Sequence, residues 1–114
     1  MNIGIMELTN IHIGLCEGRH EIKTNEGDLV DSYNFGVVDN PMDFMGHFQK
    51  AQEFFTDLVN NEAPYDVFLY VTGLTTLLTA SLLAASNSNV ASLILMHYDR
   101  ESGNYVPQDI TPLL

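Results

Sequence analysis

Hydrophobic positions along this chain follow two rhythms, alternation and the three-four spacing of a helix, and the changes of rhythm mark the elements. Ile3, Ile5 and Leu8 start a strand, Thr9-Asn10 signals a turn, and Ile11-His12-Ile13-Gly14-Leu15-Cys16 alternates again. The opening therefore reads as a β-hairpin. Glu17-Gly18-Arg19-His20-Glu21 packs four ionisable groups around a glycine, which is either a solvated extension of that hairpin or a way to deliver Arg19 and His20 to a pocket. Residues 23–31 (KTNEGDLVD) read as a loop or the tip of a β-arm, and residues 32–38 (SYNFGVV) as a short strand.

Asp39-Asn40-Pro41 predicts a helix start, a capping side chain followed by proline at the first helical position. Met42, Met45, Phe48, Gln52, Phe55, Leu58 and Val59 then recur at threes and fours, giving one apolar face that ends at Asn60-Asn61. That stripe reads as core. The run 65–72 (YDVFLYVT) is dense enough in apolar residues for a strand buried on both faces. A second helix over 75–86 (TTLLTASLLAAS) carries no charge, which predicts cover on most sides, by the rest of the chain or by a second subunit. A homo-oligomer joined through helix 75–86 is the preferred reading. Residues 90–98 (VASLILMHY) form another buried strand, and Glu101-Ser102-Gly103-Asn104 turns into an edge strand that Pro107 helps to end. The order β-β-(β)-α-β-α-β-β gives the fold class α/β, a mixed sheet with two helices.

Composition narrows the partners. At 114 residues, with 46% hydrophobic residues, the chain reads as a single domain over 1–114. No apolar run approaches the ~18 residues of a membrane span, and one cysteine, Cys16, fits a reducing compartment. A cytoplasmic protein without a membrane partner is expected. Four Lys/Arg against fifteen Asp/Glu leave a net charge of −11, so long nucleic acid is repelled. A small anionic ligand remains open if backbone amides and a placed arginine supply the positive field.

Strong catalytic motifs are missing: no phosphate loop with lysine, CxxC, HExxH or Gly-x-Ser-x-Gly. His12, His20, His47 and His97 lack zinc-ligand spacing, and Cys16 reads as a small core residue. The stronger candidate is positional. In a right-handed β-α-β unit both strands end on one edge of the sheet. The amides of residues 73–76 and the hydroxyls of Thr72, Thr75 and Thr76 would offer an anion site there, with Asp99 and Arg100 one strand over. Alternation puts His97 and Asp99 on one side. Together these residues could bind a phosphate, hold a divalent metal through Asp99, or help to activate a ribose hydroxyl. Equally, Asp99-Arg100 could be a salt-bridged turn before Ser102-Gly103.

Val71-Thr72-Gly73, the helix, and then Ile94-Leu95-Met96-His97-Tyr98-Asp99-Arg100-Glu101-Ser102-Gly103-Asn104-Tyr105-Val106 resemble the small stand-alone CRISPR-associated ring nucleases. In that family a strand ends in Ser-Gly-Arg before a helix, and a second strand runs into Tyr-Asp-Pro-Arg and a valine-rich return. The match covers about residues 65–108. It implies a distantly ring-nuclease-like fold and a cyclic oligoadenylate, a second messenger of antiviral defence, held between subunits. It also implies metal-stimulated cleavage, with manganese or magnesium the candidate ions.

Carried across, Thr72, Gly73 and Leu74 take the Ser-Gly-Arg position, with Asp99 and Arg100 at the Asp and Arg of the second motif. Asp99 and His97 become the catalytic candidates, Asp99 the metal ligand, and Thr72 to Thr76, Arg100, Arg19 and His20 the ligand-binding set. The sequence departs from the family at Leu74, at the absent proline before Arg100, and at Asn87-Ser88-Asn89, where the family has a histidine. The expected function is to bind the messenger as a sponge and either sequester or cleave it, suited to a viral anti-defence protein in a host cytoplasm. The alternative is a small homo-oligomeric adaptor with no ligand at the strand edge.

Overall fold

In the computed structural model, which describes residues 9–18, 21–59, 65–72, 75–88 and 90–113, five strands and two helices follow the expected order. Strand β1 is Thr9–Cys16 and β2 Ser32–Phe35; helix α1 is Phe44–Val59, β3 Tyr65–Val71, α2 Thr75–Ser86, β4 Ser92–Asp99 and β5 Asn104–Asp109, before a short 3-10 turn at Thr111–Leu113. The strands form one sheet in the order β2-β1-β3-β4-β5. The first four are parallel and β5 returns antiparallel to β4. The protein is therefore a mixed α/β fold.

Alternation divides the sheet into two faces. Ile13, Leu69 and Leu95 stand in register across β1, β3 and β4, as do Ile11, Val67 and Leu93. These rows pack on Ala51, Phe55 and Leu58 of α1 and on Leu77, Ala80, Ala84 and Ala85 of α2. Each large apolar side chain buried here contributes about 1.5–3 kcal/mol by leaving water. The alanines of α2 keep that helix close to the sheet. Ser81, fully buried among them, donates to the Leu77 carbonyl at 2.9 Å and accepts from the Asn34 amide of β2 at 2.7 Å. The uncharged helix is thus satisfied internally along that side.

A helix usually links two parallel strands, yet residues 21–31 join β1 to β2 as an arm. Lys23 bridges Leu29, the Val30 N–H donates to the Ile22 carbonyl at 3.1 Å, and the Thr24 N–H donates to the Asp28 carbonyl at 2.7 Å. Ile22 and Val30 pack on Tyr70 and Met96, the face that α1 and α2 leave open. Gly14 is needed beneath the arm, because a Cβ there would meet the Tyr33 ring at 2.6 Å and Ile22 Cδ1 at 2.8 Å.

Two expectations change. Residues 11–16 do not pair in a hairpin: β1 lies between β2 and β3 and runs parallel to both, while residues 1–8 lie outside the described residues. An alternating run flanked by a turn signal reads the same whether its neighbour is local or distant. Helix α1 also starts later than Asp39-Asn40-Pro41 suggests. Asn40 closes a turn, accepting from the Met42 N–H with its side chain at 3.1 Å, and Asp43 caps the helix by accepting from the Gly46 N–H at 3.1 Å. A second capping residue three positions downstream captured the helix end.

Candidate functional site at the carboxyl edge

Parallel strands β1, β3 and β4 end on one edge at Cys16, Val71 and Asp99. From β1 the chain goes outward to β2, and from β3 it goes the other way to β4, so the strand order reverses between β1 and β3. Open α/β sheets take their ligands in the crevice such a reversal leaves. Two side chains meet at this point. The Cys16 thiol is pushed above its ordinary value by partial burial, while a side-chain hydrogen bond with Thr72 acts in the opposite direction. A thiol held protonated in this way is a packing group, not an activated nucleophile. Helix α2 begins three residues beyond Thr72, at Thr75.

The two threonines of the first turn diverge. Thr75 is exposed, and its carbonyl accepts the Thr79 hydroxyl at 3.1 Å. Thr76 lines a groove of about 200 Å³ between α1 and α2, walled by Phe44, Phe48, Ala80 and Leu83. Its hydroxyl oxygen is buried and finds no partner among the described residues. Gly73, Leu74, Arg19 and His20 lie outside the described residues.

On β4, His97 pairs with Val71 of β3 and continues the helix-side row of Leu93 and Leu95. Its Nε2 meets Gln108 Oε1 of β5 at 2.7 Å. Asp99 closes the β4–β5 hairpin. Its two carboxylate oxygens accept from the Glu101 and Ser102 N–H groups, each at 3.3 Å, and the Gly103 N–H donates to its carbonyl at 2.8 Å. Gly103 reverses the chain at a φ of +74°, a conformation that a side chain would strain. The hydrogen bonds from Ser102 and Glu101 hold the Asp99 carboxyl below the usual range. Arg100 is exposed at the tip.

The arrangement thus joins Thr72 to Cys16 and places His97 and Asp99 along one strand end, with Asp99 engaged in its own turn. Among the described residues no three His, Cys, Asp or Glu side chains come together to hold a metal. Alternation alone makes Cys16 a core residue, and its nearness to Thr72 follows from a parallel β1–β3 pairing that local periodicity does not reveal.

A second concavity occupies the opposite face, between the arm and the strands, bounded by His12, Phe68, Tyr70 and Met96. Its signal was present in the alternation: Asn10, His12 and Gly14 interleave with Ile11, Ile13 and Leu15. A polar-and-small stripe on a central parallel strand marks a face left partly open. No helix of the described residues is long and apolar enough to cross a membrane.

Compared with protein-family models, curated proteins and solved structures, the chain matches none. The ring-nuclease resemblance rests on residues 71–73 and 94–106 of the sequence.

Proposed function

We propose that this chain binds a nucleotide second messenger of antiviral defence, with a cyclic oligoadenylate the first candidate, at the carboxyl edge between β1 and β3, and sequesters it. The observation that carries the reading is the reversal of strand order at that edge, beside the start of α2. Thr72 supplies a hydroxyl, the first turn of α2 supplies backbone amides that have no helical acceptor, and Arg100 supplies positive charge within an otherwise acidic chain. The sequence resemblance to ring nucleases supports the choice of ligand.

Sequestration is favoured over cleavage. Asp99 spends both carboxylate oxygens on its hairpin turn, His97 is engaged by Gln108, and Leu74 stands where the family carries arginine. Such a sponge would act in a host cytoplasm, damping the signal for a virus or mobile element. Incubation with cyclic tri-, tetra- and hexa-adenylate and cyclic di-AMP, followed by heat release and chromatography, distinguishes the outcomes. Protected, intact ligand supports a sponge; linear product makes the protein a nuclease; neither across the panel refutes both.

The second reading, a homo-oligomeric interaction protein, has its own observation. Phe44 and Leu83, which line the α1–α2 groove, are exposed by 60% and 55%, and Met42 and Met45 near the start of α1 are exposed as well. An apolar surface of that kind on a chain of net charge −11 suits a second copy, whose like-charged rim can stay in solvent.

A further inference from the structure

The concavity on the arm side of the sheet has a chemistry of its own. Its volume is about 480 Å³, in the range of small-ligand sites. The floor is aromatic. His12 lies over Phe68 with ring centroids 4.7 Å apart and planes 13° apart, the two being register partners on β1 and β3. His12 Nδ1 meets the Tyr70 hydroxyl at 2.7 Å, which fixes the imidazole from the next row. Facing this floor, the arm contributes Glu26, Asp28 and Asp31, and among the described residues no lysine or arginine lines the cleft.

Asp31 is fixed on both sides. Its Oδ2 accepts the His12 N–H at 2.8 Å, and its own N–H donates to the His12 carbonyl at 2.8 Å. The negative field reaches the floor: the Tyr70 phenol is pushed up to about 12, first by burial and then by Glu26, Tyr105 and Asp31. Leu29, on the arm side of the cleft, remains 54% exposed and offers apolar surface to an occupant.

We infer that this cleft binds a small organic cation with a flat or apolar body, an amine or guanidinium of low molecular weight. Aromatic faces attract a cation through their quadrupoles, and the carboxylates opposite offset the desolvation of its charge. Phe68, Met96 and Leu29 cover the apolar body. The same three carboxylates repel phosphate, so this site and a nucleotide at the carboxyl edge do not compete. The inference stands independently of the proposed function.

Calorimetric titration of the full chain at low ionic strength tests it, with tyramine and agmatine as probes, tyrosol as the uncharged counterpart of tyramine, and calcium chloride as the bare-ion control. The expected result is saturable binding of an amine, weakened by added salt, with tyrosol weaker by roughly tenfold or more. The Glu26→Gln/Asp28→Asn variant, altered only at exposed side chains, should bind the amine roughly tenfold more weakly with an unchanged melting temperature. Four results would overturn the inference: neither amine saturates, tyrosol binds as well as tyramine, the double variant binds like the parent, or calcium binds where the amines do not.

Discussion

The Asn25 side chain is paired twice with the backbone of Tyr105, its amide donating to the Tyr105 carbonyl at 3.0 Å and its oxygen accepting the Tyr105 N–H at 2.8 Å. Eighty positions of sequence separate the two residues. This contact fastens the arm that links β1 and β2 to the edge strand β5, so the arm spans the sheet from one side to the other. It also satisfies backbone groups that β5 would otherwise present to solvent.

Asn25→Ala should therefore release the arm without disturbing the helix face. Two hydrogen bonds at about 0.5–1.5 kcal/mol each give a loss on the order of 1–3 kcal/mol. Hydrogen exchange should accelerate at Thr24, Asp28 and Val30 while amides of β3 remain protected. Equal acceleration in both places would show that the arm and the core open together.

Gly14→Ala should destabilise by about 1–3 kcal/mol through overpacking beneath the arm. Tyr33 cannot yield freely, because its hydroxyl accepts the Ile22 N–H at 3.2 Å. Chemical denaturation checks this, and Gly18→Ala, which meets nothing within 4 Å, is the matched control.

How much of this was legible beforehand differs between elements. Helix α2 is found at the bounds its composition indicates, Thr75–Ser86, and the apolar density of residues 65–72 indicates the central strand found at Tyr65–Val71. Sheet order was not legible, because residues 11–16 carry the same alternation in a hairpin and in a parallel sheet. The arm was hidden for a related reason. KTNEGDLVD looks solvated as a string, and only the tertiary pairing of Asn25 with Tyr105 and of Asp31 with His12 shows where it lies. At the candidate site, the turn chemistry of Asp99 was one of two readings of the sequence, and its contacts with Glu101 and Ser102 match the turn.

Tyr70 makes the stability depend on alkaline pH. Its phenol, ordinarily near 10, is raised to about 12 in the folded chain, first by burial. An acid whose folded value is raised favours the native state while both forms are protonated. That contribution is fully present below pH 10 and is lost as pH rises towards 12. Tyr70→Phe should flatten the decline of melting temperature across that window, and should remove a late-titrating phenol from the tyrosinate absorbance of the parent. A variant that declines as steeply as the parent would assign the alkaline sensitivity elsewhere.

Leu83→Glu tests the apolar groove. Placing a charge among Phe44, Phe48 and Ala80 should dissociate an oligomer joined through this face, seen as a fall in mass by light scattering. Because Leu83 is exposed, the change should leave the folded chain's melting within about 0.5 kcal/mol once dissociation is allowed for. A parent chain that is already monomeric at high concentration removes the second functional reading.

The central claim is a nucleotide site at the carboxyl edge, and titration of cyclic tetra-adenylate into the parent, Thr72→Val and Arg100→Ala tests it most directly. Loss of a charge-assisted phosphate contact, worth about 1.5–3 kcal/mol, should weaken binding by roughly 10- to 100-fold in Arg100→Ala. Thr72→Val should weaken it by a smaller factor, and the ligand should be recovered intact. Parent-like affinity in both variants, or no binding to the parent chain, would contradict the account.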